Sequence, residues 1–372
     1  MNIGLLGFGT IGSSFYRLTL NQEGFNVKKL LSRRKREGLS CQIVYSFDEI
    51  LNDPEIDTVV ELIGGMHPAF DYICAALNAK KHVVTANKMV VCAHYKELIS
   101  LAEQNGVCLR CTAAAGGGIP WLPSINRAAA MDRLDAVEGI MNGTTNYMLS
   151  EMTARGADYS ELLREAQELG YAEADPTDDV EGFDTRRKLV LSANLAFDIS
   201  VNEQDVPCEG ISTLSSEDIA WAKERNLVFK LSARAERHGS GISAYVCPTL
   251  FPSATTEAQT NDIYNLVSLY AEHIGKQSFF GAGAGDYPTA SNVLADCMEI
   301  KRGCPPFYND RPLDDCGIDN AGTEGPWLFR ANGTYTVRCL SVANAFYVLS
   351  KLRGIDSTAL LAKLPYTVEV LI

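Results

Sequence analysis

Between Leu169 and Lys188 the chain gathers Glu173, Asp175, Asp178, Asp179, Asp184 and Lys188. Asp175 followed by Pro176 has the form of a cap residue and a first helical position, which predicts one helix over 176–197. Asp178, three residues after the cap, adds an acid where the helix macrodipole favours one. Asp184 and Lys188 stand four residues apart and so project from one face. On a solvated helix such a pair contributes only a few tenths of a kcal/mol. Here the run Leu189–Phe197 is almost wholly apolar, and a charged pair drawn into apolar surroundings is costly. The pattern therefore points to a site. An ammonium held by a carboxylate can give or take a proton and stabilise negative charge developing on an oxygen.

A second constellation lies at the N-terminus. The apolar strand Asn2–Leu6 runs into Gly7-Phe8-Gly9-Thr10-Ile11-Gly12, and an amphipathic helix follows. Glycines at a strand-to-helix turn let backbone N–H groups approach a pyrophosphate at the positive helix end. Gly7, Gly9, Thr10, Ile11 and Gly12 are thus candidate dinucleotide contacts. The second strand, Val27–Ser32, leads to Ser32-Arg33-Arg34-Lys35-Arg36. An NAD site usually places an acid there for the ribose hydroxyls. Its absence, with Ser32 and Arg33 in its place, favours a 2′-phosphate and NADP over NAD, although such a run could also be a solvated loop.

The elements that position these residues alternate. Strands are expected at Gln42–Tyr45, Thr58–Ile63, His82–Thr85 and Val107–Thr112, with helices at Ala69–Ala79 and Lys88–Gln104. That order predicts an α/β protein with an N-terminal Rossmann-type parallel sheet over 1–125. A central α+β catalytic and dimerisation domain with an open sheet is expected over 126–302. Its elements are a strand Leu134–Met141, a polar loop Asn142–Asn146, a helix from Tyr147 and another at Glu161–Leu169. Strands at Leu227–Glu236 and Ile242–Cys247, a helix at Asp262–Leu269 and a helix at Ala290–Arg302 complete it, the last packing back on the first domain. Residues 303–372 read as a small C-terminal segment with short strands and a helix at Val342–Leu352.

Composition bounds the partners. The net charge of −13 over 372 residues argues against nucleic acid and anionic membranes. No run reaches roughly eighteen uninterrupted apolar residues and no basic leader precedes the glycine motif, so a cytoplasmic protein is expected. The eleven cysteines read as small buried residues in a reducing compartment. Five widely separated histidines argue against a metal hydrolase.

Taken together, these motifs resemble the homoserine dehydrogenase family. The matching pieces are the first glycine motif, Glu61-Leu62-Ile63-Gly64-Gly65, Thr85-Ala86-Asn87-Lys88, Gly117-Gly118-Ile119-Pro120, Asn142–Tyr147, Leu169–Lys188 and Gly283-Ala284-Gly285 with Pro288-Thr289. They keep family order over residues 1–302. The resemblance implies reversible reduction of L-aspartate 4-semialdehyde to L-homoserine with NAD(P)H; the Ser32–Arg36 run makes NADP the expected cofactor, NAD being possible, and the open central sheet makes a homodimer the expected assembly. The resemblance makes Lys188 the proton donor and Lys88 a second cation for the reacting oxygen, with Asp184 paired on the lysine side. It gives Glu173 and Asp179 to the substrate ammonium and hydroxyl, and places Gly143, Thr144 and Thr145 by the substrate. Gly64, Asn87, Lys88 and Gly285 join the cofactor contacts. Thr112 stands where the family often carries a glutamate that helps hold a monovalent cation, so no metal is expected. Residues 303–372 are short for the family's regulatory ACT domain and lack its opening motif. An NADP-binding sensor of the same fold without turnover is the alternative. Retention of Lys88, Asp184 and Lys188 argues against it, since a sensor needs no proton donor.

Overall fold

The computed structural model describes residues 1–239, 241–304, 313, 317–322 and 324–365. It divides into two compact units, Met1–Ala130 with Ala282–Asp314, and Met131–Gly281 with Asp315–Ile372.

The first unit carries a six-stranded sheet of β1 (Asn2–Leu6), β2 (Asn26–Leu31), β3 (Gln42–Val44), β4 (Thr58–Glu61), β5 (His82–Thr85) and β6 (Leu109–Arg110). Its order is β3-β2-β1-β4-β5-β6 with every pair parallel. The order reverses between β1 and β4, where ligands bind in open α/β sheets. Strands such as Thr58-Val59-Val60-Glu61 are buried on both faces, as parallel strands under helices must be. The helix Asp286–Lys301 belongs to this unit although it comes late in the chain. Its Ala290, Val293, Leu294 and Cys297 share one core with Ile3, Leu5, Phe15 and Leu30.

The helix expected over Lys88–Gln104 is instead two, Lys88–Ala93 and Tyr95–Asn105. His94 between them sits at φ −125°, ψ 29°, outside the helical range. The last expected strand shrinks to β6, and the chain then makes a short 3₁₀ turn at Thr112–Ala114. That turn is stapled to the late helix: the Thr112 N–H and hydroxyl both donate to the Asp296 carboxylate, at 2.9 and 2.6 Å.

The second unit carries β7 (Leu134–Ile140), β8 (Leu227–His238), β9 (Gly241–Pro252), β10 (Tyr264–Ala271), β11 (Gly275–Ala282), β12 (Glu324–Ala331), β13 (Thr334–Ser341) and β14 (Leu360–Lys363). They form one sheet in the order β11-β10-β7-β8-β9-β14-β12-β13. The expected helix at Asp262–Leu269 is strand β10. It pairs antiparallel with β7 from Leu266↔Ile140 to Ala271↔Leu134, and this pairing decides the conformation. The Pro/Gly/Asn/Asp-rich stretch after 303 falls largely outside the described residues. Beyond it β12–β14 extend the same sheet, and the helix Val342–Arg353 packs over them with Trp327, Phe329 and Leu361 in a shared core.

Two further local expectations change. The helix expected over 176–197 is broken into Thr177–Val180 and Phe183–Phe197. Gly182 between them lies at φ +81°, and a Cβ there would stand 3.0 Å from the Cys208 sulfur. The helix expected from Tyr147 starts earlier, at Gly143, so the polar loop is its cap and first turn. Among the described residues no helix is long and apolar enough to cross a membrane.

The Thr112–Asp296 staple has a pH signature. Complete burial pushes the Asp296 carboxyl up to about 6, against the pull of its Thr112 donors. Between the ordinary carboxyl value of about 3.9 and that point, the native state binds the proton more tightly than the unfolded chain, so stability falls as pH rises. Asp296→Asn mimics the protonated form. Urea midpoints should show the wild type losing ground to this variant as pH is raised from about 4 to about 6. A constant difference across that window overturns the assignment.

Candidate active site

The first unit builds a cradle at the point where its strand order reverses. Gly7 follows β1 at φ +96°, and a Cβ there would lie 2.6 Å from the Leu62 carbonyl oxygen. A Cβ on Gly12 would meet the Gly7 oxygen at 2.3 Å, so only glycine brings the helix Thr10–Thr19 this close to the turn. Gly9, the residue before that helix, is different: a Cβ there would meet nothing within 4 Å. No side chain caps the helix. Its first N–H groups and positive dipole end are therefore free for an anion. Thr10 and Ile11 open its first turn.

An open cleft of ≈ 420 Å³ adjoins this turn, lined by Gly7, Phe8, Gly9, Ser32, Arg33, Arg34, Arg36, Tyr45, Ile63 and Tyr72, among others. Ser32 is buried and its hydroxyl is tied locally, 2.9 Å from the Arg34 carbonyl. Arg33 and Arg34 are exposed, while Arg36 leans over the Phe8 ring. The cleft thus combines aromatic and aliphatic walls with a cationic rim.

Gly64, Asn87 and Lys88 are organised by a residue to which the sequence reading gave no role. Glu61 ends β4 fully buried. Its carboxylate accepts the Ile63 N–H at 2.7 Å, the Gly64 N–H at 3.2 Å and the Thr85 hydroxyl at 2.6 Å. Thr85, opposite it in register, passes the order on to the Asn87 N–H at 2.9 Å. Asn87 donates to the Gly65 carbonyl and caps the short helix that Lys88 begins. An acid ending an otherwise apolar strand was the available signal, because a buried glutamate is nearly always partnered. Gly285, at φ +120°, opens the helix Asp286–Lys301, again without a side-chain cap.

The second unit places the acid–ammonium pair. Asp184 lies in the first turn of its own helix because of the break at Gly182, and Lys188 follows one turn later. Both are buried. The Lys188 ammonium donates to Asp184 Oδ2 and to the Met141 carbonyl, each at 2.7 Å. Met141 follows β7, so strand end and helix meet at this nitrogen. Asn142 joins the rest. Its amide nitrogen donates to Asp184 Oδ2 at 2.9 Å and to Asp179 Oδ1 at 2.6 Å. Its amide oxygen caps the next helix by accepting the Thr145 N–H at 2.9 Å. Thr144 donates to the Tyr171 carbonyl at 2.5 Å and stands 3.4 Å from Asp179. Gly143 packs so closely that a Cβ would lie 2.8 Å from the Ile263 oxygen.

The structure therefore brings Lys188, Asp184, Asp179, Thr144 and Thr145 into one network. It does not bring in Glu173, whose side chain is exposed and makes no hydrogen bond or ion pair among the described residues. Asp175 and Asp178 are also peripheral, one fixing the turn at Thr177 and the other paired with Arg187. Sequence reading passed over Asn142, whose signal was an asparagine preceding a helix start. Cys111 offers no nucleophile, since burial pushes its thiol well above the ordinary range.

Comparison with known proteins converges on one family. The family model described as homoserine dehydrogenase matches residues 120–298, and that of the homoserine dehydrogenase NAD binding domain matches 7–111. Homoserine dehydrogenase of Bacillus subtilis is 38% identical over 316 residues, covering 81% of this chain and 73% of that protein. The Corynebacterium glutamicum enzyme is 41% identical over 322 residues, covering 81% and 72%. Among solved structures, a homoserine dehydrogenase from Thiobacillus denitrificans superposes with a TM-score of 0.89 at 30% identity, covering 98% of each chain.

Proposed function

This chain belongs to the homoserine dehydrogenase family, an NAD(P)-dependent oxidoreductase, and from that premise we propose which residues carry its reaction. The observation that carries the reading is the hydrogen-bond count at Lys188. An ammonium has three hydrogens, and two are directed at Asp184 and Met141. The third remains for a substrate oxygen.

When bound, the nicotinamide cofactor supplies the hydride. Reduction of L-aspartate 4-semialdehyde makes its aldehyde oxygen an alkoxide, and Lys188 Nζ gives that oxygen its proton. A fixed ammonium stabilises the developing charge more than it stabilises the neutral aldehyde, so it lowers the barrier. Asp184 and the Met141 carbonyl together hold Nζ in place. Lys88 is the second cation we assign to the reacting oxygen. We also assign Asp179 and, from an exposed position outside the Lys188 network, Glu173 to the substrate ammonium and hydroxyl, with Gly143, Thr144 and Thr145 bordering the substrate. In the reverse direction neutral Lys188 takes the alcohol proton.

The cofactor contacts follow from the cradle: Gly7, Gly9, Thr10, Ile11 and Gly12 for the pyrophosphate, with Gly64, Asn87, Lys88 and Gly285 towards the nicotinamide half. The cationic rim at Ser32 and Arg33, with no carboxylate among the described residues lining the cleft, supports NADP over NAD. A homodimer is supported by β11. It is one of the two edge strands of the second sheet, largely exposed, with exposed Phe280 stacked on exposed Tyr264.

Three outcomes test these assignments. Lys188→Ala should lower kcat by about 10²–10⁴ while the fluorescence-measured Kd for NADPH stays within about twofold; an unchanged kcat removes Lys188 from its role. Arg33→Glu should cut kcat/KM for NADPH about tenfold or more and leave that for NADH much less affected. Equal losses for both cofactors would reject a 2′-phosphate contact. Sedimentation should give twice the 40.5 kDa chain mass, reduced to one by Phe280→Glu; a wild-type monomer ends the dimer proposal.

A further inference from the structure

Lys230, on β8, is fully buried. Among the described residues no carboxylate lies within ion-pair distance of its ammonium. Its contacts are neutral oxygens: Thr260 O at 2.5 Å, Asn146 Oδ1 at 2.9 Å, Asn261 Oδ1 at 3.2 Å and Ser150 Oγ at 3.3 Å. Glu257, on the neighbouring short helix, is engaged instead with Lys276. A buried cation without a counter-charge is among the costlier features a fold can carry, and nothing in the proton transfer at Lys188 uses it.

What the ammonium joins is specific. Asn146 and Ser150 stand one turn apart on the helix Gly143–Arg155, whose first turn is the stretch we assign to the substrate. Thr260 and Asn261 belong to the turn that leads into β10. The same two segments are stitched by Asn146, whose amide nitrogen donates to the Asp262 and Tyr264 carbonyls at 3.0 and 2.9 Å. This fixes the amide oxygen towards Lys230. A second, independent contact lies at the helix start, where Gly143 rests on the Ile263 oxygen of that turn so closely that no side chain fits. The turn at 260–264 is therefore the surface on which the substrate-binding turn is seated, and Lys230 clamps the two together.

The acceptors also define the protonation state the clamp requires. Three of the four oxygens are carbonyl-type and can only accept, so satisfying them takes all three hydrogens of an ammonium. Burial alone pushes Lys230 down to about 7, and this acceptor set favours the charged form.

We propose that Lys230 is a positioning residue for the reaction: by clamping Asn146 to the 260–264 turn it sets the placement of Gly143, Thr144 and Thr145 against the substrate. This rests on the substrate role assigned to that turn.

The test compares Lys230→Met, which keeps the aliphatic stem and removes the hydrogens, with Asp179→Asn, which alters a direct substrate contact. The readouts are KM for L-homoserine and KM for NADP, measured on folded enzyme. Lys230→Met should raise the homoserine KM about tenfold or more and leave the NADP KM within about twofold, because a small displacement of a binding group is expensive. Lys230→Gln, which keeps amide donors, should recover part of the loss. If Asp179→Asn raises the homoserine KM and Lys230→Met does not, the positioning role is overturned while the substrate site stands. If neither moves it, the substrate assignment falls and the positioning role falls with it. Both KM values rising together with Lys230→Met marks a merely structural residue and also overturns the proposal. Should Lys230→Met fail to fold, Asn146→Ser removes the clamp's acceptor and is judged by the same outcomes.

Discussion

Everything in the second unit's chemistry depends on one amide. The Asn142 nitrogen lies between the carboxylates of Asp179 and Asp184, and its oxygen closes the start of the next helix. Two like charges near one another repel, and a donor between them lets both stay at the site. With Asp184 so held, Lys188 is fixed by the acid and by the Met141 carbonyl at once. β7 thus delivers a carbonyl, an amide and a helix start in three successive residues, and each binds a different part of the site.

The first unit solves a different problem, which is proximity rather than charge. Its glycines are used where backbone must touch backbone: Gly7 against Leu62, Gly12 against Gly7. The residue left unencumbered, Gly9, is the one facing open space at the helix start. Glu61 plays the role there that Asn142 plays in the second unit. It ties the loop after β4 to β5 by accepting three donors, so that Gly64, Asn87 and Lys88 are held to a common frame. In both units a buried side chain of opposite polarity to its surroundings does the organising, as fully satisfied polar networks do.

What could be read from the sequence was what depends on short spacing. Asp184 and Lys188 are adjacent on any helix, and the glycine turn is local to one strand and one helix, so both were legible, as was the alternation that makes the parallel sheet. The break at Gly182 was not, because it answers to Cys208 and Val246, which pack against it from distant segments. Strand β10 was misread as helix because its conformation is set by pairing with β7, more than a hundred residues earlier. The partners of Asn142 lie 37 and 42 positions away, and no periodicity encodes such a distance. Lys230 was invisible for the same reason: a lysine in a strand reads as an edge or surface residue until its neighbours are known.

The late helix has a consequence for how the molecule is made. Phe15, Leu30 and Ile3 share their core with Ala290, Val293 and Leu294, so that core lacks a wall until the ribosome has passed residue 301. At about 5–20 residues per second, the first 130 residues wait on the order of 10–30 s for the segment that covers them. The stretch that forms most of the second unit's sheet emerges during that interval. Birth order and completion order are therefore uncoupled in this chain: the part synthesised first needs a piece synthesised late, and its apolar surface is a natural client for a chaperone in the meantime.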